Sequence, residues 1–547
     1  MPNASGADVT DFAAADGLGA DLLGGKAAGL AALAGRGLPV PPGFVLTTRV
    51  CADFRESRTI SEPVRHAIAT HLAELEKRRG RRLGDANAPL LLAVRSGAPV
   101  SMPGMMDTVL NLGIDDRTVV ALAGQYGTDF AYDCYARFLQ GFGTVVLGID
   151  ATRFSAAERA DSERRADAYR TVIAEWCGPL PDDPRELLEM AIVAVLRSWE
   201  NPRAVAYRRL ENIDDSLGTA VVVQSMVFGN LNSNSGTGVV FTRDPNTGAR
   251  KPYGDFLFRA QGEDVVSGAL RTLPVDVLAE RLPALWAYLT EQLSALEAWK
   301  RDMLDIEFTV EDGDLYFLQV RTAKRSPAAA VQVAQMMVTE GLISRSEAVR
   351  RISPEQLEAL SHTQRRSRAG DGEHLGRGLA ACPGLATGEI CLSSEAVFEC
   401  DERGGSAILV RTETAPDDIQ GMAIAAGILT ARGGLVSHAA VVARGLGVPA
   451  VVGAEGVSID ELAGMVDFGS VVLPEGTVIT IDGDSGLVDL GAVAATVGDA
   501  DEVNTLLQWA DEVVGAAGGE PDPSQGRAQR LLAAHALLAP GMPTHRS

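Results

Sequence analysis

The segment Thr430-Ala431-Arg432-Gly433-Gly434-Leu435-Val436-Ser437-His438 runs directly into the apolar stretch Ala439-Ala440-Val441-Val442-Ala443. Two glycines make a flexible loop, and the apolar stretch after the histidine reads as the start of a helix. Ser437 suits the N-cap position, because its hydroxyl accepts a bond from an otherwise unpaired N–H of the first turn. His438 then stands at the positive end of a helix, where added negative charge is stabilised. An imidazole in that position is suited to carry a phosphoryl group. A core histidine packed under a glycine turn fits this segment equally well, so the rest of the chain has to decide.

Around this segment, from Leu379 to about Val493, short β-rich stretches alternate with glycine turns. Upstream, Leu23-Gly24-Gly25-Lys26-Ala27-Ala28-Gly29-Leu30 leads into an Ala/Leu-rich helix that stops at Gly35-Arg36-Gly37, and the prolines at 39, 41 and 42 forbid its continuation. Leu90 to Val94 reads as a buried strand ending on Arg95-Ser96-Gly97. Residues from about Thr118 to Glu211 have helical apolar period. Ala220 to Val227 is a strand, Gly229 to Gly238 a loop and Val239 to Thr242 a second strand. Asp305–Thr309 and Leu315–Val320 read as paired strands around Glu311-Asp312-Gly313-Asp314. Val331 to Leu360 is helical, and the polar, basic stretch from His362 to Gly378 suits a linker. The tail holds one or two amphipathic helices.

The whole chain bounds the function further. Its 547 residues suggest several domains, and 49 basic against 72 acidic residues give a net charge of −23. That balance argues against nucleic-acid and anionic-membrane partners, and any polyphosphate site must gather its cations locally. The six cysteines are scattered without metal spacing, which fits free thiols in a reducing compartment. The first 20 residues carry three aspartates and no basic cluster, no apolar stretch approaches bilayer length, and a cytoplasmic location is expected.

Several groups then qualify as chemistry. Lys26 follows two glycines at a helix start, and Arg95 ends a strand beside Ser96 and Gly97; each place lets a cation meet phosphate oxygens, although either charge alone is also an ordinary solvated one. The methionine-rich segment Val100–Thr108 fits either core filler or a moving lid. The loop holding Gly236, Thr237 and Gly238 can cradle phosphates through backbone N–H groups, or it is a plain hairpin. Asp305 and Glu307 share one strand face, as do Gln319 and Arg321. Two carboxylates, an amide oxygen and a guanidinium suit Mg²⁺ with polyphosphate, and a salt-bridge ladder fits the same spacing.

Taken together, these segments closely resemble the pyruvate, phosphate dikinase family. The resemblance covers roughly residues 11 to 495. It rests on Leu22–Lys26, Gly37–Phe44, Val94–Ala98, Ser101–Gly113, Ser235–Gly238, Ala260–Val266, Asp305–Phe308, Leu318–Arg321 and Thr430–Gly445. The resemblance implies an α/β and α+β multidomain architecture, with an ATP-grasp nucleotide-binding domain followed by a swivelling β/β/α phosphohistidine domain. The expected map is a flexible segment at 1–20, the ATP-grasp domain at 21–345 (subdomains of about 21–115, a helical 116–215, and 216–345), a linker at 346–378, the phosphohistidine domain at 379–497 and a helical tail at 498–547. In this family ATP donates a pyrophosphoryl group to the histidine. Inorganic phosphate then accepts the terminal phosphoryl group, leaving phosphohistidine, PPi and AMP, and pyruvate becomes phosphoenolpyruvate. The resemblance makes His438 the nucleophile. Lys26, Arg95 and Arg321 balance charge on the ATP phosphates, and Gly236, Thr237 and Gly238 cover them. Glu307 and Gln319 hold Mg²⁺ with support from Asp305, and the polar linker serves as a hinge.

Two departures qualify the resemblance. The family's complete enzyme carries a C-terminal (β/α)8 barrel that binds pyruvate and phosphoenolpyruvate, and the residues from Glu502 to Ser547 are too few for one, which needs about 200 residues. The expectation is a short form that passes its phosphoryl group to pyruvate with the help of a separate barrel chain. Transfer to another acceptor, or a non-catalytic ATP-binding regulatory subunit, are the alternatives. The family also commonly has a threonine two residues before the histidine, where a regulatory kinase acts; here Val436 has no hydroxyl, and Ser437 is the remaining acceptor.

Overall fold

The computed structural model describes residues 8–100, 102, 105–158, 160–210, 212–267, 270–360, 363–365, 373–493, 495–497, 501–522 and 524–538. The chain forms two compact units, one from Met1–Thr237, Phe258–Gln261 and Ile306–Arg321, the other from Gly238–Leu257, Gly262–Asp305 and Thr322–Ser547.

The first unit is built on a five-stranded antiparallel sheet in the order Val9–Asp11, Gly43–Leu46, Ala220–Ser225, Leu92–Gly97, Thr108–Leu112. Its central strands are apolar on both sides because both faces are covered. Phe44, Leu46, Val221 and Val223 pack into a core shared with the helices Thr128–Val145, Ser162–Cys177 and Pro184–Ser198. The alternate residues Val45, Ala220 and Val222 meet Leu23, Ala27 and Leu30 of the opposite helix. That helix runs Ala20–Gly35 with a break at Gly24 (φ 71°, ψ 157°), so its regular part starts at Gly25 and Lys26. Arg95 lies inside its strand, opposite Val222, rather than at the strand's end. Strand Gly236–Phe241 likewise begins earlier than composition suggests, and all six of its residues are buried.

The second unit is centred on an eight-stranded mixed sheet ordered Glu373–Arg377, Leu487–Leu490, Val478–Asp482, Leu385–Cys391, Ala407–Arg411, Gly427–Thr430, Ala450–Val452, Leu379–Cys382. The strands Leu385–Cys391, Ala407–Arg411, Gly427–Thr430 and Ala450–Val452 run parallel to one another. Helix His438–Leu446 packs Ala439, Ala440 and Ala443 against Leu409, Ile428, Ala450 and Val452, and residues of that size let the helix lie close on the sheet. The alternate strand residues Ile408, Val410, Leu429 and Val451 fill the core on the other face. Helices Pro327–Thr339, Arg345–Arg351 and Pro354–Ala359 pack with the C-terminal helices Asp501–Ala516 and Arg527–Leu538, where Arg345 meets Glu512 at 2.9 Å. The stretch 346–378 therefore contains helix and, at Glu373–Arg377, a strand of the sheet, while its residues 366–372 lie outside the described residues, as do Ser101, Pro103 and Gly104 of the methionine segment. Among the described residues no helix is long and apolar enough to cross a membrane. Five cysteines are buried, Cys177 is exposed, and all six are free.

Gly24 fixes where Lys26 sits. A Cβ there would lie 1.6 Å from the carbonyl oxygen of Gly97, and its backbone occupies a region open essentially to glycine alone. Gly24→Ala is expected to lower unfolding free energy by about 3 kcal/mol in urea denaturation; an unchanged midpoint would show that the close approach is not required.

Candidate functional site

In the first unit, three contacts bring the cations together. The N–H of Gly25 donates to the carbonyl of Ala98 at 2.9 Å, which ties the helix start to the end of the Arg95 strand. Gly29, one turn further on, approaches strand Asp314–Thr322 so closely that a Cβ would lie 3.0 Å from the Val320 oxygen. The neighbouring strand Leu304–Glu311 supplies Glu307. Lys26, Arg95, Arg321 and Glu307 consequently lie within one another's electrostatic reach. Burial, and then the charges of Arg95 and Arg321, push Lys26 down from 10.5 to about 8, against the opposing pull of Glu307. Burial alone would raise the Glu307 carboxyl, but Lys26, Arg321 and Arg95 hold it below its ordinary value. Gln319 precedes Arg321 by two residues and shares that strand's face with it.

Among Lys26, Arg95, Arg321 and Glu307, three side chains are cationic and one is a carboxylate. A bound polyanion would favour the charged form of Lys26. The oxygen donors Glu307 and Gln319 are of the hard kind Mg²⁺ prefers, and Mg²⁺ commonly binds through one or two carboxylates together with substrate phosphates. Among the described residues no three of His, Cys, Asp or Glu gather around one point. The donor types present, one carboxylate and one amide oxygen, fit Mg²⁺ bound together with a polyphosphate.

The remaining candidates are placed differently. Gly236 and Thr237 belong to the first unit, where the Thr237 hydroxyl lies 3.2 Å from the Phe308 carbonyl, to which it donates, and 3.3 Å from the Thr309 hydroxyl. Gly238 and Asp305 belong to the second unit. Asp305 is buried there, and its charge acts on Arg444.

In the second unit, His438 opens its helix behind Ser437, whose hydroxyl accepts from the N–H of Ala440 at 3.5 Å. The loop before it is braced on several sides. Gly433 adopts φ 114°, and a Cβ on Gly434 would lie 2.5 Å from Asp255 Oδ2. Asp255 Oδ2 accepts the N–H of Val436 at 3.1 Å, and the buried Arg444 donates to the carbonyls of Leu435 (2.6 Å) and Ala381 (3.0 Å). His438 Nδ1 lies 3.1 Å from the Thr414 hydroxyl, while Nε2 is buried without a hydrogen-bond partner among the described residues. Burial pushes the imidazole below its ordinary pKa, partly opposed by Asp418, so the ring is neutral at neutral pH. Thr414 and His438 follow the carboxyl ends of the adjacent parallel strands Ala407–Arg411 and Gly427–Thr430, the usual place for a site in a parallel sheet. Sequence reading does not find Thr414, Asp255 or Arg444. Only the order of the strands brings Thr414 to the histidine, and no local pattern marks it.

This combination of a cation-rich nucleotide-type cluster and a histidine domain defines a two-domain architecture that family comparison also recovers. Residues 20–82 and 56–284 match the family described as pyruvate phosphate dikinase, AMP/ATP-binding domain, and residues 404–486 match the PEP-utilising enzyme, mobile domain. The chain is 45% identical over 525 residues to pyruvate, phosphate dikinase of Rhizobium meliloti, with 90% of this chain and 58% of that protein covered. It is 43% identical over 515 residues to pyruvate, phosphate dikinase 2 of Oryza sativa subsp. japonica (90% and 58%), and 43% over 512 residues to the chloroplastic pyruvate, phosphate dikinase 1 of Arabidopsis thaliana (90% and 53%). The chain belongs to the pyruvate, phosphate dikinase family and spans a little over half the length of these curated relatives.

Two measurements check the cation cluster. Free Lys26 loses its proton as pH rises through about 8, and a bound polyanion favours the charged form. ATP binding above pH 8 is therefore expected to take up a proton, seen by calorimetry in buffers of different ionisation enthalpy and abolished in Lys26→Arg; pH-independent proton exchange would contradict it. Calorimetry with Mg²⁺ alone should show no binding below about millimolar concentration, with Mg²⁺ retained only when nucleotide is present.

Proposed function

We propose that this chain catalyses the nucleotide half of a pyruvate, phosphate dikinase reaction, with His438 as the phosphoryl carrier. The observation that carries the reading is the imidazole itself, neutral, with Nδ1 against Thr414 and Nε2 unpartnered at a helix start. With the Thr414 hydroxyl oxygen accepting a hydrogen bond from Nδ1–H, Nε2 keeps its lone pair. It attacks the β-phosphorus of ATP, AMP departs, and pyrophosphohistidine forms. Inorganic phosphate then takes the terminal phosphoryl group as PPi, leaving phosphohistidine. Lys26, Arg95 and Arg321 neutralise the ATP phosphates and the charge that builds on the leaving oxygen. Glu307 and Gln319 are the residues proposed to hold the Mg²⁺ of the nucleotide, which would supply further charge neutralisation when bound. Gly236, Thr237 and Gly238 contribute through their backbone.

Pyruvate as the final acceptor is supported by the names of the relatives. A barrel that binds pyruvate and phosphoenolpyruvate, in the same polypeptide or on a separate chain, is the proposed partner, and a cytoplasmic setting is proposed. One histidine has to serve donor and acceptor in turn. Val436 and Ser437 are buried, and the Ser437 hydroxyl caps the helix, so phosphorylation at Ser437 would have to break that cap.

With ATP labelled at the β-phosphate, Mg²⁺ and phosphate, the purified chain should acquire acid-labile label that His438→Ala abolishes; label retained by that variant would sink the proposed nucleophile. Thr414→Val should slow labelling by about 10- to 100-fold at unchanged nucleotide affinity, from loss of one hydrogen bond to a group that becomes charged, and Thr414→Ser should restore most of the rate.

A further inference from the structure

The helical layer of the first unit encloses a cavity of about 740 Å³ that the reaction above does not use. This volume lies in the range of small-molecule sites. Its floor is apolar: Ile114, Phe138, Leu139 and Ile173 line it, and each is at most 2% exposed. Leu180, flanked by prolines at 179 and 181, stands half-buried in the same wall.

The polar groups around this floor are arranged unequally. Asp115 binds Arg117 at 2.9 Å, and Asp116 accepts both from Arg170 (2.9 Å) and from the Tyr135 hydroxyl (2.8 Å). Both arginines of the lining are thus matched by carboxylates. Glu175 and Asp182 also line the cavity and are exposed; neither forms an ion pair within 4 Å among the described residues, although the charge of Asp182 reaches Arg117. Four carboxylates against two guanidiniums leave the mouth two charges negative. Burial keeps the Tyr135 phenol protonated, so it adds a polar contact and no charge. This electrostatic character is opposite to that of the Lys26 cluster. A nucleotide or another polyanion would be repelled here, whereas an apolar molecule bearing a positive charge meets both requirements of the lining at once.

We propose that this cavity is a binding site for a small amphipathic cation, an aromatic or alicyclic body carrying one protonated amine or quaternary nitrogen. The body lies against Leu180 and its flanking prolines, over the floor backed by Ile114, Phe138, Leu139 and Ile173, and the nitrogen faces Glu175 and Asp182. Neither carboxylate belongs to the nucleotide cluster or to the histidine loop.

Fluorescence titration of the full chain at low ionic strength tests the site with two probes, berberine, an aromatic cation that brightens in apolar surroundings, and anilinonaphthalene sulfonate, an aromatic anion. Berberine should bind saturably at one site, at least about tenfold more tightly than the anion. The double substitution Glu175→Lys/Asp182→Lys should weaken berberine by about tenfold or more while ATP affinity and unfolding midpoint stay unchanged. Leu180→Trp, which fills the cavity, should weaken both probes; if that variant does not fold, the charge reversal at two exposed positions decides alone. Absence of saturable berberine binding, equal affinity for the two probes, or berberine binding indifferent to charge reversal would each overturn the proposal.

Discussion

Lys26, Arg95, Arg321 and Glu307 lie within electrostatic reach of one another in a chain whose net charge is −23. Burial first, and then the neighbouring guanidiniums, hold Lys26 below its ordinary value. Gly24 presses against Gly97, Gly25 bonds to Ala98, and Gly29 sits on Val320, so the helix bearing Lys26 is fixed against the strands bearing Arg95 and Arg321. A polyanion bound here would favour the charged form of Lys26, which is how a preorganised phosphate site would differ from a surface charge pair.

The histidine depends on a different constraint. Its ring is oriented by Thr414 and its loop by groups that leave little freedom, with Asp255 on the Val436 N–H, Arg444 on the Leu435 carbonyl and Ser437 on the first helical turn. The alanines of the helix allow it to lie against the parallel strands, which sets Nε2 at their carboxyl ends. These contacts are separable, since Thr414 meets the ring at Nδ1 whereas Asp255 and Arg444 hold the loop backbone.

Much of this was legible in the chain wherever the determinant was local. The N-cap serine, the glycine break before Lys26, the end of that helix at Gly35 and the hairpin that carries Glu307, Gln319 and Arg321 all follow from residues adjacent in sequence. The failures have a common cause. Glycines in Gly236–Gly238 read as a loop, yet these residues are buried in a strand whose Thr237 bonds to Phe308, a contact set by a distant segment. Asp305 and Glu307 alternate on one strand, yet the charge of Asp305 acts on Arg444, far along the chain. Thr414 and Asp255 reach the histidine loop only through strand order, and spacing carries no trace of strand order. The cavity lined by Ile114, Phe138 and Ile173 is likewise invisible to motif reading, because its residues look like ordinary helix core.

On the proposed reading, Thr414 engages Nδ1 of His438 and Nε2 accepts the phosphoryl group. ³¹P–¹⁵N NMR of the chain labelled with ¹⁵N-histidine, after reaction with ATP, Mg²⁺ and phosphate, distinguishes the two nitrogens. One phosphoryl resonance coupled to Nε2 of His438 is expected. A phosphoryl group coupled to Nδ1, or one carried by a residue other than His438, would contradict it.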